Sequence, residues 1–414
     1  MRSPFASDIL LGCKATKALV LGAGKQGYGI AWDLLQAQDI DEVHLADVSR
    51  PRLDQVAGKL ANEKLRTVEL DVRDRASLLR VMKSVDIVAN ALVWDLNYGV
   101  TEAAVEAGVS VVDLGSPSII NTLDQAAKSA GVTVIPHCGL DPGIDRMLIS
   151  YGVSKLDTVE EVTVRCGGFP QKNLLPCPLD YKITWSFEGV IASYVDWDDL
   201  FEPPTGRGRV TIIKDGKKVS VEKLSGLERL HFPEPVGECE GVYTHAPLDV
   251  IANLGLKNVK ECYSKTVRWP GHFEKFKTLI EVGLTSTEPQ MIDGVEISPR
   301  KFLVSHLSRL LQYREGEGDL VVMRVEVNGY RSGRREALTF EMIDRYDERN
   351  GLMAMSRTTG FPCSIVAQMI VRGEIGRVGV MPPEVCVPHE KFFTELAKRG
   401  IKIASSHKED IWLA

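Results

Sequence analysis

A chain that runs an apolar strand straight into G-x-G-x-x-G has few folds open to it. Here Ala18-Leu19-Val20-Leu21 leads into Gly22-Ala23-Gly24-Lys25-Gln26-Gly27. The first glycine allows a tight turn, the second lets backbone N–H groups approach a pyrophosphate, and the third lets the next helix pack closely on the strand. An amphipathic stretch from Ile30 to Gln36 follows, then a second strand, Glu42-Val43-His44-Leu45-Ala46. Asp47 ends it, about twenty residues past the glycines, as a dinucleotide fingerprint requires. A carboxylate there accepts ribose hydroxyls and repels a 2′-phosphate, so NAD is expected to bind better than NADP, with Arg50 and Arg52 nearby able to soften the preference. The cofactor residues so predicted are Gly22, Gly24, Lys25, Gln26, Gly27, Asp47 and Val48.

Strand and helix patterns alternate through residue 136, which predicts a doubly wound parallel sheet. After a helix from Pro51 to Leu60, the strand Arg66 to Leu70 ends on Asp71-Val72, placed for adenine contact, although Asp71 also suits a turn cap. The apolar run Asp86 to Ala91 closes on Asn90-Ala91, small enough to leave room for a ligand. Ser110 to Leu114 carries Asp113, and Val132 to Pro136 precedes His137-Cys138. Ligands of such sheets lie beyond the carboxyl ends of the strands, so Asn90, Asp113 and His137-Cys138 should share one crevice.

Beyond Cys138 the texture changes to short strand-like runs at 159–165, 210–214, 218–221, 265–268, 276–285 and 320–327, with a helical pattern over 299–311. This predicts a second, α+β domain with a mostly antiparallel sheet. Helical patterns at 364–372 and 390–399 close the chain. The expected division is an extension over 1–16, a Rossmann-type NAD(P)-binding domain over 17–140, a substrate and oligomerisation domain over 141–355, and a segment over 356–414 returning to the first domain. At 414 residues and 44% hydrophobic composition two cores are expected. A net charge of −6 without long basic runs argues against nucleic-acid or membrane partners. The N-terminus has neither a secretory nor a transmembrane pattern, so a cytoplasmic protein is expected. The eight cysteines show no C-x-x-C and no metal-ligand spacing with histidine, so reduced thiols and no metal are expected.

The string Cys138-Gly139-Leu140-Asp141-Pro142-Gly143-Ile144-Asp145-Arg146-Met147-Leu148 resembles a segment of the saccharopine dehydrogenase (reductase-type) family. Arg165 to Pro170, Tyr181 to Ser186, Thr266 to His272, Thr358 to Arg372 and Gly379 to Glu384 agree in order and spacing, so the resemblance spans most of residues 17–402. Leu45-Ala46-Asp47, Val112 to Gly115, Arg268 to His272 and Ala354 to Thr359 are most similar to the lysine 6-dehydrogenase branch. The DPGID segment is more like saccharopine reductases. The resemblance implies NAD(P)-linked oxidation at an amine-bearing carbon of a lysine-type amino acid, giving an imine that hydrolyses or cyclises.

That chemistry needs a grip on a carboxylate, a proton acceptor for an ammonium, and an amine carbon held against the nicotinamide. Arg268 is the expected carboxylate ligand, because a guanidinium grips two oxygens at once. Asp113, Asp141 and His272 are the candidate proton acceptors, and the sequence does not choose between them. Asp141 also suits a turn before Pro142-Gly143, and His272 a structural role. Cys138 is read as a pocket wall rather than a nucleophile, since hydride transfer needs no covalent intermediate. Tyr181 closes the pocket or fills core. The first expectation is oxidative deamination of L-lysine at the 6-amino group; the alternatives are a saccharopine dehydrogenase, with Lys182 or Arg165 as a further carboxylate anchor, and a non-catalytic NAD sensor. Open sheet edges in the second domain predict a homodimer or homotetramer.

Overall fold

A computed structural model describes residues 15–197 and 208–409. The expected extension over 1–16 falls outside the described residues except for its last two. The first unit alternates β1 (Lys17–Leu21), α1 (Lys25–Gln36), β2 (Glu42–Asp47), α2 (Arg50–Leu60), β3 (Leu65–Glu69), α3 (Arg75–Met82), β4 (Ile87–Asn90), α4 (Asn97–Ala107), β5 (Ser110–Asp113), α5 (Asp124–Ala130) and β6 (Thr133–Ile135). Strands buried on both faces need continuous apolar runs, and β1 and β4 supply them: Ala18 to Leu21 and Ile87 to Ala89 are all 0% exposed.

Helix α6 (Ile144–Val153) and the long strand β7 (Thr158–Pro170) begin the second unit. There follow α7 (Phe187–Val195), β8 (Arg209–Lys214), β9 (Lys217–Glu222), β10 (Glu228–Phe232), β11 (Gly237–His245), α8 (Leu248–Asn253), β12 (Glu261–Arg268) and α9 (His272–Glu281). A hairpin of β13 (Gln290–Ile292) and β14 (Val295–Ile297), then α10 (Pro299–Leu310), β15 (Asp319–Arg331) and β16 (Arg334–Arg345) complete it. The chain ends with α11 (Ala354–Val371), β17 (Gly379–Val380), α12 (Pro383–Cys386), α13 (His389–Lys398) and β18 (Ile403–Glu409).

The first sheet has seven parallel strands in the order β17-β6-β5-β4-β1-β2-β3. The second has nine strands around the path β10-β11-β12-β7-β15-β16-β18, antiparallel except for β12 beside β7. The doubly wound sheet and the mostly antiparallel second sheet are therefore both present. The last segment divides: α11 and β17 join the first unit, whereas β18 pairs with β16 of the second sheet.

One expected strand is a helix. Residues 276–285 read as alternating, but Phe273, Phe276, Leu279 and Ile280 recur at helical spacing and pack together in one cluster, so 272–281 fold as α9. Helix α11 is buried along most of its length and crosses α1 at close range. A Cβ on Gly29 would stand 2.4 Å from the Ser356 carbonyl oxygen, and one on Gly360 would stand 2.8 Å from the Ile30 nitrogen. The two glycines thereby seat the first unit's glycine loop against the helix that underlies the second sheet.

Candidate active site

The glycine loop fits a dinucleotide. Gly22 has φ +93°, and a Cβ on Gly27 would lie 1.7 Å from the Gly22 carbonyl oxygen, so neither position takes a side chain. A Cβ on Gly24 would meet nothing within 4 Å, and Gly24 begins α1 without a side-chain cap, which leaves first-turn N–H groups open to an anion. Asp47 lies at the end of β2, where its Oδ2 accepts from the Ala23 N–H at 2.8 Å and its Oδ1 from the Ser49 N–H at 2.8 Å. Arg52 Nη1 stands 3.5 Å from the same carboxylate. Val48 is exposed at the strand end. Asp71 closes a turn, accepting from the Arg73 backbone and guanidinium, and those bonds pull its carboxyl down to about 2. The structure thus gives Asp71 the capping role; Val72 is half-buried beside it. Asn90 is fully buried, bonding Asn97 and the Leu92 N–H, and Ala91 underlies the Gly22 turn.

Lys25 and Gln26 face inward from the loop. Lys25 Nζ donates to the Ile183 carbonyl of the second unit, and burial, only partly offset by Asp319, lowers its pKa to about 8. The Gln26 side-chain amide is buried with neither atom hydrogen-bonded among the described residues.

Of the three proton-acceptor candidates, the structure gives each a different setting. Asp113 ends β5 almost wholly buried, accepting from the Ser116 hydroxyl at 2.6 Å and the His137 N–H at 3.2 Å; burial, against these bonds, raises it to about 6. Cys138 is a buried wall beneath it, its thiol pushed well above the usual range by burial. His272 is fully buried in a cluster of aromatic rings. Its Nδ1 pairs with the Leu179 carbonyl at 2.8 Å and its Nε2 with the Tyr194 hydroxyl at 3.2 Å. Burial, then Arg268, lower its pKa to about 3, so it stays neutral with both ring nitrogens engaged. A base needs a free lone pair within reach of its substrate, and His272 has none.

Asp141 has one. Its Oδ1 accepts from His245 Nε2 at 2.9 Å, and its Oδ2 has no hydrogen-bond partner among the described residues. His245, which the sequence reading passed over, owes its position to a β-bulge. The register of β11 on β12 shifts between Tyr243 and His245, so His245 aligns with Ser264. In unbroken alternation His245, two residues after Tyr243, would share its face; with Thr244 bulged out of the ladder, His245 instead takes the face of Ser264, Thr266 and Arg268. Burial opposes charge on His245, but the Asp141 carboxylate and its hydrogen bond outweigh that and hold the imidazole above its usual pKa. Asp145 lies close by. Burial and then the Asp141 charge push its carboxyl well above the usual range, and its Oδ1 accepts the Gly143 N–H at 2.6 Å. Cys166 of β7 lies within electrostatic reach of Asp141, Asp145 and Arg268.

Arg268, at the end of β12, is 5% exposed and pairs with no carboxylate among the described residues. Its Cζ lies 5.2 Å from the ring centroid of Tyr181 and 6.0 Å from that of Tyr194, and its Nε has no hydrogen-bond partner. Room for the guanidinium comes from Gly167 of β7, where a Cβ would stand 3.1 Å from Nη1. Tyr181 is wholly buried, with the Arg268 guanidinium against its ring and the tilted ring of His272 5.5 Å away. Lys182 and Arg165 are already committed, the first to Glu317 at 2.7 Å and the second to Glu326 at 2.5 Å and Glu228 at 3.2 Å. Among the described residues no group of His, Cys, Asp and Glu could hold a metal ion, and no helix is long and apolar enough to cross a membrane.

Two family models match the chain: a saccharopine dehydrogenase NADP binding domain over residues 18–135 and a saccharopine dehydrogenase C-terminal domain over residues 139–401. The chain is 25% identical to the mitochondrial alpha-aminoadipic semialdehyde synthase of Bos taurus, over 449 residues covering 91% of this chain and 46% of that protein. It therefore spans about half the length of that relative. It is also 25% identical to the saccharopine dehydrogenase [NADP(+), L-glutamate-forming] of Saccharomyces cerevisiae, over 438 residues covering 88% of this chain and 93% of that one. Among solved structures, the apo saccharopine dehydrogenase (L-Glu forming) from Saccharomyces cerevisiae superposes with a TM-score of 0.79 at 21% identity, over 95% of this chain and 100% of that one.

Proposed function

This chain belongs to the saccharopine dehydrogenase family, and from that premise we propose that it oxidises a C–N bond of a lysine-type amino acid, specifically the oxidative deamination of L-lysine at its 6-amino group with NAD. The observation that carries the reading is Arg268, a buried guanidinium with no carboxylate partner among the described residues. Burying a charge unpaired is costly, so the site is built for an anion that arrives with the ligand. Asp141, oriented by His245, accepts the proton of the substrate ammonium through its free oxygen. The bound nicotinamide supplies the hydride acceptor. Loss of a proton and a hydride from the substrate ammonium leaves a protonated imine, and water then releases an ammonium ion and an aldehyde.

A single cation at this site without a carboxylate partner among the described residues, Arg268, suits a substrate with one amino-acid head. A saccharopine dehydrogenase reading is favoured by the names of the relatives, but saccharopine brings further carboxylates, and Lys182 and Arg165 would have to leave Glu317, Glu228 and Glu326 to meet them. Pure protein incubated with NAD and either L-lysine or L-saccharopine decides the matter. Reduced nicotinamide together with free ammonia from lysine is the expected result. Turnover of saccharopine alone moves the reading to the alternative, and turnover of neither overturns it.

NAD is the proposed cofactor over NADP because Asp47 stands at the end of β2, where a 2′-phosphate would meet its charge. We further propose a cytoplasmic homo-oligomer, a dimer or dimer of dimers joined through residues of the second unit. The exposed apolar side chains of Met291, Ile292, Val295 and Phe302 support it. Light scattering on a gel-filtration column checks the assembly, and a monomer mass would contradict it.

A further inference from the structure

Near Arg268 a second polar side chain has no use in the ligand-free protein. Tyr313 lies in the loop between α10 and β15, and its hydroxyl is buried without a hydrogen-bond partner among the described residues. Two cations lie against the ring: Lys25 Nζ stands 5.8 Å and Lys182 Nζ 5.7 Å from its centroid. Each ammonium is anchored in turn, Lys25 on the Ile183 carbonyl, Lys182 on the Gln312 carbonyl at 3.0 Å and on Glu317. Burial, with Asp319 and Tyr181 adding to it, pushes the phenol well above its usual pKa, so the hydroxyl keeps its proton and serves as a donor. Arg268 lies within electrostatic reach of Tyr313, and its Nε–H is unpartnered as well. A buried hydroxyl donor and an unpartnered guanidinium N–H, with two ammonium groups against the tyrosine ring, are suited to the paired oxygens of a carboxylate.

We propose that Tyr313 is a substrate-binding residue whose hydroxyl joins Arg268 in holding the amino-acid carboxylate. This rests on the amino-acid oxidoreductase reading given above. A buried hydroxyl left unsatisfied destabilises the ligand-free fold, and phenylalanine would fill the same space without that cost. The orphaned donor is therefore explained by a ligand rather than by packing. A phosphate of the dinucleotide has the same oxygen chemistry, and Lys25 belongs to the glycine loop, so cofactor and substrate must be separated in the test.

The experiment compares the full-length wild type with Tyr313→Phe in KM and kcat for L-lysine and L-saccharopine, in the dissociation constant for NAD, and in ligand-free melting temperature. The expected result is a KM raised about tenfold or more for the substrate that turns over. At the same time kcat and NAD affinity hold, and the melting temperature stays level or rises. An unchanged KM with wild-type turnover intact overturns the role of Tyr313 alone. Weakened NAD binding assigns the hydroxyl to the cofactor, and a lowered melting temperature assigns it to the fold; either overturns the proposal. A wild type that turns over neither amino acid overturns this proposal together with the reading it rests on.

Discussion

The two halves of the cleft are built by different means. The glycine loop is a feature of the backbone: a positive φ at Gly22, a contact at Gly27 that admits no Cβ, and an uncapped helix start, all within a few consecutive residues. The proposed amino-acid half draws on side chains from five separate segments: Asp141 and Asp145 after β6, Cys166 on β7, His245 on β11, Arg268 on β12, and Tyr313 after α10. It is held by burial and charge rather than by local conformation. A backbone-built site tolerates almost no change in its own residues, whereas a side-chain site can lose function while the fold stands.

Asp141→Asn sharpens that contrast most. It keeps the shape and the hydrogen-bonding reach toward His245 but removes the basic oxygen, so kcat should fall by about 10²–10⁴-fold with NAD affinity intact, as steady-state kinetics and a cofactor titration will read. Arg268→Met comes next. Losing a bidentate carboxylate grip should lower kcat/KM about a hundredfold, mostly through KM, while chemical denaturation shows no loss of stability, because methionine replaces an unpaired buried charge. An Arg268→Met variant that unfolds would mean the guanidinium is structural.

The pH dependence of stability separates His272 from the working groups. In the unfolded chain its imidazole takes a proton near 6.5, and in the folded chain only near about 3. Between those values unfolding takes up a proton, so stability falls as pH drops through that window, by at most about 1.4 kcal/mol per pH unit. Urea midpoints for the wild type and His272→Gln should differ in slope over that range, the variant being flatter. The smallest effect belongs to Asp47→Ser, which should narrow the preference for NAD over NADP by about tenfold or less, because Arg52 already offsets part of the charge. An unchanged ratio would show that the Asp47 carboxylate serves only the Ala23 and Ser49 N–H groups.

Legibility in the sequence follows the same divide. The parallel sheet could be read because its strands are continuous apolar runs and its loop is a contiguous glycine pattern. Arg268 and Asp141 stood in family-like strings. His245 could not be found, because its direction depends on a bulge of one residue in β11 that alternation does not show. Tyr313 sits among polar loop residues, and only in the folded chain do its buried, unpartnered hydroxyl and the two cations around its ring mark it out. His272 looked like a base because imidazole titrates near neutrality; packing against Tyr181, Tyr194 and Phe276 removed that property. The 276–285 run looked extended because a short apolar stretch fits both periods, and the helix shows only once Phe273 is included.

The proposed chemistry requires a carboxylate docked at Arg268 with the amine end of the same molecule at Asp141. A crystal structure of the protein with NAD and L-lysine measures this directly. The predicted result places the lysine carboxylate within hydrogen-bond distance of the Arg268 guanidinium and its 6-amino group beside Asp141. A bound lysine whose carboxylate lies elsewhere, with Arg268 still packed on Tyr181 and Tyr194 and no anion beside it, would contradict it.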